Sequence, residues 1–78
     1  LNNIVYTGIR TNDFKYIKKL TKHPKDPLKE IDEILIDLNN DKLENINLVN
    51  NQEYSDTLNF FRKIHKSRID ELGLSKDQ

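Results

Sequence analysis

The chain has no cysteine, methionine or tryptophan, and only 2 glycines and 2 prolines in 78 residues. Without cysteine there is no disulfide staple and no thiolate metal site. So few turn-forming residues argue against a sandwich or barrel of many short strands and leave helices as the expected element. No apolar run approaches the roughly 18 residues of a membrane span, and no signal-peptide pattern is present. An excess of either charge is missing as well, since 13 Lys and Arg balance 13 Asp and Glu. A general nucleic-acid binder would carry a basic total, so the balance points away from that class.

That balance conceals segregation. Residues 10–29 hold seven Lys/Arg against two acids, and residues 30–56 hold eight acids against one Lys. Separate basic and acidic stretches suit a peptide-binding domain, or the solvated faces of ordinary helices. At 35% hydrophobic and 33% charged, the composition is polar but short of disorder. A chain of this length makes one small domain that buries about 60–65% of its unfolded surface. Its start at Leu1 rather than Met reads as a domain cut from a longer protein.

Apolar spacing predicts the elements. Leu1–Gly8 fits a short helix or an extended arm, because its IVYT core is β-branched and aromatic. Thr11 or Asn12 opens a helix with Phe14, Ile17 and Leu20 on one face, which stops before Pro24. Asp26-Pro27 is a helix start, with Leu28, Ile31, Ile34, Leu35 and Leu38 as its core stripe and Ile36 partly exposed. The segment around Leu43, Ile46, Leu48 and Val49 reads as one or two further helical turns. A long helix from about Glu53 to Leu72 places Leu58, Phe61 and Ile64 inward, and Gly73-Leu74 closes it as a C-cap. Ser75 to Gln78 has the form of a capping box for another helix. The expected organisation is thus an arm at 1–10, a helical protein-binding domain at 11–74 and a tail or further segment at 75–78. The fold class expected is all-α, with four to five helices and no sheet of three or more strands.

Catalysis finds little footing in this pattern. His23 and His65 are the only histidines, and His65 reads as a packed residue on the inner side of its helix. Glu30, Asp32, Glu33 and Asp37 spread around the expected helix instead of converging, so no acid–base pair or metal cage follows. The EF-hand pattern is absent and the two glycines form no phosphate loop. No catalytic residue, metal ligand or cofactor is therefore expected. A helix-turn-helix reading would use Arg62, Lys63, Lys66 and Arg68 on the last helix. The acidic helix before it would repel phosphates.

Ile34-Leu35 and Leu38, then Leu43, Ile46 and Leu48, then Gln52, Tyr54, Ser55, Leu58, Phe61, Arg62 and Lys63 carry a resemblance. They follow the pattern of the N-terminal domain family of the transcription elongation factor TFIIS. That family ends one helix in I-L-x-x-L and, after a connector, runs T-x-I-G-x-x-V-x-x-L-R-K. A relative in that family, the integrase-binding domain of lens epithelium-derived growth factor, looks alike over the same span. The chain departs from the pattern at Ser55, at Gln52 and in its lack of tryptophan.

The resemblance implies a right-handed helical bundle in a nuclear transcription or chromatin protein. Such a bundle would dock short disordered acidic–aromatic motifs in its interhelical loops. By that resemblance, the binding positions are His23-Pro24-Lys25 and Ile64-His65-Lys66, rimmed by Arg62 and Lys63. The Ile-Asp pair of the integrase-binding relative is not matched, because His23-Pro24 stands there. Other readings are a small helix-turn-helix DNA-binding domain and a bacterial or phage immunity-type helical protein.

Overall fold

The structure is a computed structural model and describes residues 3–23 and 25–71. It overturns the helical bundle. Three antiparallel strands, β1 (Asn3–Arg10), β2 (Phe14–His23) and β3 (Asp26–Asp37), form a meander in the order β1-β2-β3. A long connection follows, then a 3-10 turn at Gln52–Tyr54 and one helix, α1 (Ser55–Glu71), which packs on one face of the sheet. Only the last of the expected helices exists among the described residues. The segments read as helices from Thr11 and from Asp26-Pro27 are strands, and the Leu43–Val49 segment is turns and irregular chain. Asp26-Pro27 opens β3, a position where proline is tolerated because no ladder bond is demanded of it. The expected closure at Gly73-Leu74 and the segment from Ser75 lie outside the described residues.

Side chains explain why strands win. Along β2, Phe14, Tyr16, Lys18 and Leu20 share one face and Lys15, Ile17, Lys19 and Thr21 the other, as the two-residue period of a strand requires. Phe14, Ile17 and Leu20 imitate helical spacing although Ile17 faces away from the other two. Each strand of the β1–β2 hairpin contributes eight paired positions, from Asn3↔Lys22 to Arg10↔Lys15. The β2–β3 ladder runs from Phe14↔Asp37 to His23↔Asp26, with an irregularity at Lys19/Leu20. That irregularity leaves Ile31, expected in the core, 49% exposed.

The core lies between the inner face of the sheet and α1. Tyr16, Leu35, Leu58 and Phe61 form its buried centre, with Ile9, Phe14, Leu48, Val49 and Tyr54 packed around it. Tyr16 and Phe61 stack with ring centroids 5.9 Å apart, and Phe14 meets both Phe61 and Tyr54. Aromatic contacts of this kind add to simple area burial. Leu20 and Ile36 are also buried, although Ile36 was expected at the surface. Ile17, Leu38 and Ile64 are only half-buried.

The two edges of the sheet are finished differently. Beside β3, the connection lies against the strand. Leu35 N–H donates to Asn47 Oδ1 (3.0 Å), Asn47 Nδ2 donates to Glu33 O (3.0 Å) and Leu48 N–H donates to Leu35 O (2.8 Å). An amide side chain thus stands in for a fourth strand. On β1, among the described residues, one long contact from Arg68 Nη1 to Gly8 O (3.5 Å) reaches the edge.

Candidate functional site

Two places in the fold gather polar chemistry. The first is on the inner face, under α1. Glu33 is buried, yet every part of its carboxylate is engaged. Tyr16 Oη donates to Oε2 at 2.6 Å, and Arg62 donates from Nε to Oε2 and from Nη2 to Oε1, both at 2.7 Å. The two-pronged guanidinium contact is the strongest form of this pairing. It holds the Glu33 carboxyl below the usual carboxylate range, against the opposing effect of burial. Burial first, and then the Glu33 charge, push the Tyr16 hydroxyl well above its ordinary value. Arg62 is raised in turn by its bond to Glu33.

Beside this network, His65 is buried and its Nε2 meets the hydroxyl of Thr7. Its ring lies edge-on to Tyr16, 5.9 Å between centroids. Burial, and then Lys18, lower its affinity for a proton. Lys18 itself is bound to Glu30 at 2.6 Å. A second carboxylate, Asp37, accepts from Asn40 Nδ2 (2.7 Å), Tyr54 Oη (3.0 Å) and the amides of Asn39 and Asn40. Those bonds, led by Asn40, lower its pKa and turn the chain out of β3.

The arrangement is chemically saturated. Glu33 and Asp37 are held ionised by donors, and Tyr16 is held protonated. A general base needs a free lone pair aimed at an incoming proton, and these carboxylates spend theirs on fixed partners. The described residues also form two grooves. One of about 510 Å³ is lined by Thr11, Asp13, Phe14, Asp56, Thr57, Phe60 and Phe61. Another of about 300 Å³ lies between the Val49–Gln52 segment and α1. Neither includes Thr7 or His65. Among the described residues no group of three His, Asp or Glu is placed to hold a metal ion, and no helix is long and apolar enough to cross a membrane.

The second place is the outer face of the sheet, opposite α1. Register fixes its rows. Arg10, Lys15 and Ile36 lie side by side, then Gly8, Ile17 and Ile34, then Tyr6, Lys19 and Asp32, and finally Thr21 and Lys29 beside Ile4. Tyr6 is 66% and Ile4 54% exposed, and Lys19 Nζ sits 5.8 Å from the Tyr6 ring centroid. Lys15 reaches Glu44 of the connection at 2.9 Å. Four cations of the basic stretch, Arg10, Lys15, Lys19 and Lys29, share this face, and among the described side chains the strands add one carboxylate to it, Asp32.

The expected binding residues fall in two separate elements. Lys25 stands in the turn between His23 and Asp26, at the end of the β2–β3 hairpin. Pro24 lies outside the described residues, and the side chain of His23 does too. Arg62, Lys63, Ile64, His65 and Lys66 follow one another along α1. Among the described residues there is no pair of interhelical loops to bring these groups side by side, because one of the two is a strand turn. Arg62 and His65 point inward to Glu33 and Thr7, while Lys63 and Lys66 are exposed. Tyr16, Glu33 and Asp37 were not singled out as a network, because their partners are remote in sequence.

Compared with protein-family models, with curated proteins and with solved structures, the chain matches none.

Proposed function

We propose that this chain is a non-catalytic binding module whose outer sheet face docks an acidic, partly apolar segment of another protein. The observation that carries the reading is the composition of that face. Four cations, Arg10, Lys15, Lys19 and Lys29, surround the half-buried Ile17 and Ile34, with Tyr6 exposed beside them. An apolar strip supplies contact area and the cations supply steering and orientation. A disordered acidic–aromatic segment meets both demands. The zero net charge of the whole chain favours such a partner over nucleic acid, whose phosphates would also face Asp32, Glu44 and the acidic connection. The saturated state of Glu33 and Asp37 supports the non-catalytic part of the reading.

Affinity should be modest, about 1–100 μM, because ordering a flexible ligand costs entropy. The test is an amide-shift titration of the labelled chain with a synthetic acidic–aromatic peptide, a basic control peptide and a DNA duplex. Shifts from the acidic peptide at Tyr6, Ile17, Lys19 and Lys29, weakened by salt, are expected. Shifts confined to Asp13, Asp56 and Phe60 would contradict the site. Tighter, salt-sensitive binding of the duplex on the same face would replace the protein partner with nucleic acid.

A further inference from the structure

Among the described residues the β1 edge of the sheet is bare, and it carries an inference that goes beyond this docking function. Natural sheets guard exposed edges with charge, proline, bulges or a covering segment. On β3 the guard is the Asn47–Leu48 segment. On β1, residues 3–9 read NIVYTGI, with no charged residue and no proline, and the eight pairs to β2 run without a register break. Because Gly8 O accepts from Arg68, it points away from β2. By the alternation of an antiparallel ladder, the backbone groups of Ile4 and Tyr6 point the same way. This is a straight, uncharged row of donors and acceptors.

We propose that β1 pairs antiparallel with β1 of a second copy of this chain, joining two three-stranded sheets into one continuous sheet about a two-fold axis at Tyr6. The strand is self-complementary in that register. Tyr6 faces Tyr6 of the second copy, and Ile4 faces Gly8, whose missing side chain leaves room for the isoleucine. Each such pair exchanges two backbone hydrogen bonds. A Cβ added at Gly8 would lie 3.0 Å from Tyr16 O, a tight approach that favours glycine there. Across the axis no like charges meet between residues 3 and 9, which is the usual obstacle to such pairing. The exposed rings of Tyr6 and the side chains of Ile4 then pack together on the outer face. The long Arg68 contact to Gly8 O gives way to a main-chain donor from Ile4. An isologous interface of this kind closes on itself at two chains, and the Asn47–Leu48 segment occupies the Glu33–Leu35 part of each β3 edge.

Sedimentation equilibrium of the chain from micromolar to millimolar concentration tests the proposal. A monomer–dimer equilibrium is expected, with concentration-dependent amide shifts at Ile4, Tyr6 and Gly8. A mixed-isotope sample should show an intermolecular contact between the α-protons of Val5 and Thr7, which become a close pair in this register. Tyr6→Lys should weaken association roughly tenfold or more by opposing two charges at the axis. Because the side chain is exposed, the circular dichroism spectrum should not change. Phe60→Ser, in the groove beside α1, should leave association unchanged. A chain that sediments as a monomer throughout would overturn the proposal, as would a dimer indifferent to Tyr6→Lys. Shifts at Ile4–Gly8 appearing only with the acidic peptide, in a monomeric chain, would assign the edge to that partner instead.

Discussion

The two sides of this sheet obey different rules. On the inner face and along β3, each buried polar group has a partner: Glu33 has Tyr16 and Arg62, Asp37 has Asn40 and Tyr54, and the Leu35 amide has Asn47. On the outer face and along β1, Ile4, Ile17, Ile34, Tyr6 and the cations stand exposed or half-buried, with Ile36 alone buried among the described isoleucines there, and the edge strand carries no charge before Arg10. The covered side holds the fold together; the bare side is where the proposed binding is placed. Substitutions on the covered side should therefore cost stability, and substitutions on the bare side should cost binding.

The largest loss is expected from Phe61→Ala. Phe61 is 2% exposed and stacks on Tyr16, so its truncation should cost about 3–5 kcal/mol in denaturant unfolding and could unfold so small a domain. Glu33→Ala should cost less, about 1–3 kcal/mol, because it strands the buried Tyr16 hydroxyl while the half-exposed Arg62 keeps access to water. A loss below about 1 kcal/mol at either position would mean that the covered side is not the seat of stability.

Asn47→Ala sharpens the contrast between the edges. It removes the acceptor of the Leu35 amide and the donor to Glu33 O, at an expected cost of about 1–3 kcal/mol. Thermal unfolding followed at two wavelengths would show it. Stability unchanged by this substitution would leave β3 no better guarded than β1.

Stability should also fall in two stages with acid, both arising on the covered side. His65 takes up a proton less readily when folded, so below about pH 6.5 the unfolded chain binds more protons and stability declines. Glu33 and Asp37 have lowered pKa values when folded, so their contributions are complete above the ordinary carboxylate range and are lost as the pH drops below about 4.5. His65→Gln should remove the first stage and leave the second, a result that unfolding curves at successive pH values would show.

The smallest change in stability, within about 0.5 kcal/mol, should follow Lys19→Gln with Lys29→Gln, because both side chains lie on the bare face and neither change sets like charges opposite each other. The same pair should weaken binding of the acidic peptide. A stability loss of several kcal/mol would show that the outer face is structural.

How far the sequence could be read follows the same division. The last helix was legible because Leu58, Phe61 and His65 recur at helical spacing and are the residues α1 buries. The strands were not. In β3 the usual pattern is inverted: Glu33 and Asp37 face the core beside Leu35, while Ile34 and Ile36 face outward. Burial of those carboxylates depends on Arg62, 29 residues away, and on Tyr54, 17 residues away. No local window contains both halves of such a pair. In β2, Lys18 occupies an inner position, where it pairs with Glu30 at 2.6 Å. That lysine broke the alternation which would have marked a strand, and left Phe14, Ile17 and Leu20 to imitate a helix. The basic surface was visible as a stretch of sequence, but its flat display across a sheet was not. The helical bundle implied by the TFIIS resemblance shared the same misreading.

Amide hydrogen exchange of the dilute monomer tests the division between the two sides most directly. The amides of Tyr16, Leu35 and Leu48 should exchange slowly, near the rate set by global unfolding, while those of Ile4 and Tyr6 exchange fast on the bare edge. Fast exchange at Leu35, or equal protection along both edges of the sheet, would contradict the account.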